Sequence, residues 1–267
     1  MTTLAQQLHE LQVKVKADPG SAKLRIHLFQ LLCVLGDWQR ALGQLQVCGQ
    51  LDAKALAMAQ MYREAIRCEV FRADVFAGKR RPQVLGAPPG WIGLLIEALQ
   101  HDRLEEASAA AELRQQALEE AVPRACTVDG ATCEWFADGD TRLGPVCEVL
   151  VNGQYFWLPF ESCAGIRIEA PADLRDLVWS PAELLLPNEG CVPALIPTRY
   201  PQTTVLTQEN ADSLKQSRAT EWLERAPEIW VGLGQRVWMS DVGEHPILDT
   251  RTLSFVAPGL AGDAETA

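Results

Sequence analysis

Leu143 to Phe160 reads L-G-P-V-C-E-V-L-V-N-G-Q-Y-F-W-L-P-F, and its reading decides the fold. Two β-rich runs, Val146–Val151 and Gln154–Leu158, flank Asn152-Gly153. Asn-Gly suits a two-residue type I′ turn, because both turn residues need positive φ and these two tolerate it best. The stretch therefore predicts an antiparallel hairpin. The chain through Ala121 has helical periodicity. Everything after it is short strands, prolines and tryptophans.

Working back toward the start, Leu4, Leu8, Leu11 and Val15 recur at helical spacing, so Leu4–Lys16 is a first amphipathic helix, ended by Asp18-Pro19-Gly20. Ser21 can cap a second helix presenting Leu24, Leu28, Leu31, Leu32 and Leu35. Gly36-Asp37 turns the chain, and Trp38, Ala41, Leu42 and Leu45 begin a third. Ala53–Phe76 is a long helical stretch, followed by a Pro/Gly-rich loop from Lys79 to Gly90. Gly36-Asp37-Trp38-Gln39-Arg40-Ala41 resembles the start of the second helix of a tetratricopeptide repeat. His101 to Ala107 is a weaker copy, and Ala41 and Ala107 lie 66 residues apart, close to twice the repeat period of about 34. Stacked hairpins of this kind have a concave face that receives a partner's helix or peptide. By repeat register, Ile26, Gln30, Val34, Arg63, Arg67, Ile92 and Ile96 line that face. The competing expectation is that the β half packs there and fills it.

Forward of the hairpin, strand patterns fall at Cys163–Glu169, Cys191–Pro197, Thr203–Leu206, Ile229–Gln235, Arg236–Ser240 and Thr252–Val256, with another at Thr132–Phe136 ahead of it. Ala137-Asp138-Gly139-Asp140 reads as a turn, and Ala211–Glu224 as a helix with Leu214, Ala219, Trp222 and Leu223 on its apolar side. The expected fold is α+β. TPR-like helical hairpins over 1–121 precede a small, mostly antiparallel β domain over 122–258, a barrel or rolled sheet with one or two short helices. A frayed tail covers 259–267.

Composition narrows the function. Through Ala121 there are 14 Lys/Arg and 14 Asp/Glu; from Val122 there are 10 and 21, so the whole net charge of −11 belongs to the β half. Such a surface repels nucleic acid and anionic membrane, so neither is expected as a partner. No start resembles a signal peptide and no apolar run could span a bilayer, so a cytoplasmic location is expected. The eight cysteines form no C-x-x-C pair and read as small core thiols in a reducing compartment.

Catalytic motifs are scarce. Gly232-Leu233-Gly234 lacks the third glycine and following helix of a phosphate loop, and neither a P-loop nor a G-x-S-x-G motif occurs. Cys163 has no base beside it in sequence. Asp138, Asp140, Asp173 and His245 are the candidates for an alternative reading, a small hydrolase or ligand-binding β domain with a carboxylate-lined site; Asp173, Asp176 and Glu183 could also converge as carboxylates but read first as solvated loop acids. No metal, cofactor or catalytic residue is assigned. Six of the eight tryptophans fall in the β half, where they read as core or as an aromatic binding patch.

The hairpin stretch also resembles the signature of the ImpE/SciE-type (TagJ) family of accessory proteins in bacterial type VI secretion. Three further segments agree: Arg175-Asp176-Leu177-Val178-Trp179-Ser180-Pro181-Ala182, Arg218-Ala219-Thr220-Glu221-Trp222, and Gly232-Leu233-Gly234-Gln235-Arg236 leading to Trp238. Together with the helical half, the resemblance spans nearly the whole chain. It implies a non-enzymatic cytoplasmic adaptor. Its implied partners are a helical segment of the sheath small subunit and the ClpV-type AAA+ ATPase that dismantles contracted sheaths. The motifs do not say which surface meets which partner.

Overall fold

A computed structural model describes residues 2–256. The expected frayed tail, 259–267, lies outside the described residues. Helix α1 (Leu4–Ala17) opens with a capping box in which Thr3 and Gln6 satisfy each other's backbone N–H groups. Helix α2 (Ala22–Leu35) is capped by Ser21, which accepts from Leu24 N, and stops at Gly36, whose φ of +76° is left-handed. Asp37 then caps α3 (Trp38–Leu51) by accepting from Arg40 N. Ala41 is fully buried, as the close helix–helix approach of a tetratricopeptide-like hairpin requires. Helix α4 (Leu56–Phe76) follows, then β1 (Gln83–Val84) within the proline loop, and the second hairpin of α5 (Ile92–Arg103) and α6 (Ala107–Glu120).

The second half supplies β2 (Cys126–Val128), β3 (Ala131–Cys133), β4 (Phe136–Asp138), β5 (Val146–Val151), β6 (Gln154–Pro159), β7 (Gly165–Ile168), β8 (Trp179–Leu185) and β9 (Cys191–Pro197). It continues with α7 (Ala211–Lys215), β10 (Thr220–Ala226), β11 (Ile229–Gly234), β12 (Val237–Ser240), β13 (Gly243–Pro246) and β14 (Thr252–Phe255). Nine strands form one sheet in the order β1-β6-β5-β9-β8-β7-β14-β2-β3, antiparallel except where β1 joins β6. Its two ends do not meet, so the sheet is open rather than a barrel. A three-stranded sheet, β13-β12-β4, and the β10-β11 hairpin complete the half.

The β5-β6 hairpin forms as its sequence predicts. Asn152 and Gly153 have φ of +50° and +74°, the pair of positive values a type I′ turn needs. All six residues of β5 are buried because both faces of the sheet are covered. Val146 and Leu150 join the core shared with the helices. Cys147, Val149 and Val151 join a second core on the opposite face, with Phe136, Phe160, Ile166, Trp238 and Leu253. A strand buried on both faces reads as a continuous apolar run.

Three local expectations are corrected. Only Ala211–Lys215 is helical; Thr220–Ala226 is a strand paired with Ile229–Gly234. Ser217 takes a left-handed φ of +54°, which ends the helix, and the β10-β11 ladder then satisfies the backbone of the Trp222 segment. Trp222 packs on Tyr200 at 5.5 Å between ring centroids, and Gly232 leaves room for the Tyr200 ring where a side chain would collide with it. Thr203–Val205 is a single 3-10 turn rather than a strand. Asp138, expected in a turn, closes strand β4.

The sheet half fills the helical face. Trp179 is 0% exposed and lies 5.9 Å from the Trp38 ring and 5.7 Å from that of Tyr62. Phe76 meets Trp157 and Phe71 meets Tyr155 in the same layer. Arg199 donates to the Val34 carbonyl (2.6 Å), an acceptor at the open end of α2, and to the Cys33 carbonyl (3.1 Å), which also accepts from the C-cap Gly36 N.

Candidate functional site

The joint between the halves holds a buried charged network that begins at Glu148. This glutamate is the one charged residue in β5, lies on its helix-facing side and is 0% exposed. Arg72 of α4 donates to it twice, at 2.6 and 2.8 Å, and Arg236 and the Tyr155 hydroxyl donate to it as well. Trp157 Nε1 donates to the Tyr155 oxygen at 2.8 Å. Arg236 bridges to Asp138, which also accepts from Tyr200 (3.0 Å) and from Asp140 N (2.9 Å). Asp140 in turn holds Arg142 and accepts from Gly232 N. Arg72 reaches the Arg199 carbonyl and Glu69, and Glu69 accepts from Trp179 Nε1. One connected network thus ties α4 to β4, β5, β6, β8 and Arg236 just ahead of β12.

The two central carboxylates respond oppositely to this environment. Burial pushes Glu148 upward, but Arg72, then Arg236, with hydrogen bonds from Arg72 and Tyr155, outweigh it and hold Glu148 at about 2. Burial dominates at Asp138 and raises it to about 6 despite Arg236. A depressed carboxylate contributes stability that is present above its unfolded pKa and lost as pH falls through its folded value. The Glu148 contribution is therefore lost on acidification from about pH 4.5 to about pH 2. Glu148→Gln should cost about 2–4 kcal/mol at pH 7, through lost charge-assisted bonds and an uncompensated buried guanidinium. The variant should also lack that acid-dependent loss. Urea unfolding at pH 7, 4 and 3 measures both, and equal losses at every pH would contradict the ionised role.

The residues weighed for catalysis are held by structural bonds. Asp138 and Asp140 are paired as above. Asp176 accepts from Ala172 N and Asp173 N within its own turn, and Asp173 pairs with Arg175. Glu183 pairs with Arg167 across strands β7 and β8. His245 Nε2 lies 2.7 Å from Ser240 Oγ, a contact between neighbouring strands that the sequence spacing did not reveal; the same oxygen accepts from Val242 N within the β12-β13 turn. Burial pushes the Cys163 thiol up to about 11, away from the thiolate a nucleophile needs. Seven cysteines are buried free thiols and Cys191 is exposed. Among the described residues, no group of three or more His, Cys, Asp or Glu could hold a metal ion, and no helix is long and apolar enough to cross a membrane.

Of the residues expected on the concave face, Gln30, Val34, Ile92 and Ile96 are buried, and Val34, Ile92 and Ile96 belong to the core that the helices share with the sheet. Ile26 and Arg63 are half-buried. Arg67 is exposed and pairs with Glu64 at 2.8 Å. These seven residues do not form one open surface. A groove of about 400 Å³ lies instead between α4 and the helix-facing side of β8 and β9, with Met61, Leu150, Pro181, Pro193 and Leu195 on its walls and the Asn152-Gly153 turn at one end. The sequence reading passes over Glu148, whose one signal is a charge inside an apolar strand. The groove was not legible either, because it is assembled from α4, β5, β8 and β9.

Comparison with known proteins agrees with this architecture. The model of the ImpE protein family matches residues 130–254. The type VI secretion system accessory component TagJ of Pseudomonas aeruginosa is 46% identical over 252 residues, covering 94% of this chain and 87% of that protein. The X-ray structure of a Vibrio parahaemolyticus protein, 27% identical, superposes with a TM-score of 0.85 over 95% of this chain and 94% of the other. With near-complete coverage at that level of identity, the chain belongs to the ImpE family that includes the type VI secretion accessory component TagJ.

Proposed function

We propose that this protein is a non-enzymatic adaptor of type VI secretion. It binds a helical segment of the sheath small subunit and links the sheath to the ClpV-type AAA+ ATPase for disassembly. The observation that carries the reading is 46% identity across 94% of the chain to a protein named as an accessory component of that system. The network supports it from the other side: Glu148, Asp138 and Asp140 each serve arginines of the fold rather than an open cleft. The work belongs in the cytoplasm, where contracted sheaths are dismantled.

Calorimetry and pull-down with the purified sheath small subunit, its isolated helical segment and the ClpV-type ATPase test the proposal. Saturable binding to the subunit, retained by the helical segment, and a ternary complex with the ATPase are expected. No binding to either protein would overturn it.

A further inference from the structure

We propose that the cleft between the α5-α6 hairpin and the β10-β11 hairpin binds a small organic phosphate. The inference stands apart from the adaptor reading and uses none of the residues assigned to it. The cleft holds about 400 Å³, and arginines reach it from four elements: Arg103 at the end of α5, Arg114 in α6, Arg142 between β4 and β5, and Arg225 in β10. This concentration runs against the charge of the molecule. The chain carries −11, and of the 10 Lys/Arg from Val122 onward, Arg142 and Arg225 both line this one cleft.

The donors are only partly used. Asp102 takes both Nη atoms of Arg114, and Asp140 takes Nε and Nη2 of Arg142. Arg142 Nη1 is left over, and Arg114 Nε is buried with no hydrogen-bond partner. These two arginines are 6% and 3% exposed, so they are fixed donors, and an open donor at such depth is unusual in a folded protein. Arg103 and Arg225 are exposed on the rim and, among the described residues, have no hydrogen bond or ion pair. Arg103, Arg114, Arg142 and Arg225 face Asp102, Glu105 and, behind Arg142, Asp140, so one positive charge is left over. The start of α6 adds backbone donors. Ala107 lies on the wall, and the N-cap residue Glu106 makes no side-chain cap because its carboxylate lies 2.6 Å from His101 Nδ1. A first helical turn has N–H groups without intrahelical partners and a positive partial charge, which suits an anion.

The arrangement selects the ligand. A carboxylate presents two oxygens in one plane. A phosphate presents three strong acceptor oxygens on a tetrahedron, and donors arriving from α5, α6, the Arg142 loop and β10 match that shape. The rest of the wall is apolar: Phe76, Ile229 and Val231. Phe76 also supports the Arg142 guanidinium, which lies 4.9 Å from its ring centroid. The occupant therefore carries a phosphate at one end and an apolar group at the other.

Calorimetry of the full-length chain with phenyl phosphate, inorganic phosphate and phenol, at one ionic strength set with sodium chloride, tests the site. Phenyl phosphate should bind saturably, inorganic phosphate more weakly, and phenol not at all. Arg103→Ala and Arg225→Ala remove rim side chains that make no bond in the fold, so their thermal melts should match the unmodified chain. Each should weaken phenyl phosphate about tenfold, the usual loss for one charge-assisted contact. Arg40→Ala removes the same charge from an exposed position on α3 outside the cleft and should bind like the unmodified chain. Bound phenyl phosphate should also slow hydrogen exchange at the start of α6 and in β10. The proposal is overturned if phenyl phosphate does not bind, if phenol or inorganic phosphate binds as tightly, or if the rim variants bind no worse than Arg40→Ala. None of these outcomes touches binding to the sheath subunit, so the adaptor reading is tested separately.

Discussion

Replacing Arg236 by methionine is expected to destabilise the protein by about 3–5 kcal/mol, the usual cost of removing one partner from a buried ion pair. The melting temperature should fall by about 10 °C or more for a domain of this size. Arg236 is fully buried and donates to two carboxylates that are themselves fully buried, Asp138 and Glu148. Methionine fills much of the space but leaves Asp138 without a cation, while Glu148 keeps Arg72. The loss should therefore depend on pH in a direction that identifies its source. Asp138 already has its folded pKa raised to about 6, so its protonated form is the one the fold prefers. The stability that a raised group contributes is present at low pH and lost as pH rises through the folded value. Removing the arginine deepens that preference, so Arg236→Met should be more damaging at pH 7 than at pH 5. Adding Asp138→Asn should recover part of the loss, because the two positions share one interaction and their effects do not add. Chemical denaturation of the single and double variants at both pH values measures this. A loss below about 1 kcal/mol, or one independent of pH, would show that the arginine is not compensating a buried carboxylate.

Trp179→Ala should cost a further-ranging 3–5 kcal/mol, on the order expected for deleting a buried tryptophan. The ring is 0% exposed and sits between the halves, against Trp38 of α3 and Tyr62 of α4, and its Nε1 donates to Glu69. Its removal opens a cavity in the core that both halves share, so both should lose stability together. Hydrogen exchange should rise in α2, α3 and α4 as well as in β8 and β9, and denaturation of the variant should remain a single transition. Trp179→Phe should recover much of the loss by refilling the space without the Glu69 hydrogen bond. An effect confined to the sheet, with the helices exchanging as before, would mean that the two halves fold as independent units.

Both predictions depend on contacts that no local pattern announces. Arg72 and Glu148 are separated by 76 residues, and Arg199 reaches the end of α2 across 166. Tryptophans in the β half read as core, and Trp157, Trp179 and Trp238 are fully buried. That Trp179 faces the helices while Trp238 lies in the opposite core follows from strand register and sheet order, which emerge only when the sheet assembles. The same register turns Glu148 toward two arginines rather than toward water.

The sequence by itself determined the features whose physics is local. Asn152-Gly153 set the hairpin, since the sign of φ at two adjacent residues is a property of those residues. Thr3, Ser21 and Asp37 set helix starts and Gly36 a helix end, since caps need only groups a few residues away. The order of four motifs set the family. The tertiary structure alone decided which surfaces cover one another. It moved the Trp222 segment from helix to strand, because a ladder with Ile229–Gly234 satisfied its backbone. It filled the repeat face with Trp179 and Trp157 and left the groove beside α4 open, because burying apolar area is indifferent to distance along the chain. The Leu143–Phe160 stretch belongs to both categories: its turn is written in two residues, while the partners of its one buried glutamate come from α4 and from Arg236, the residue before β12.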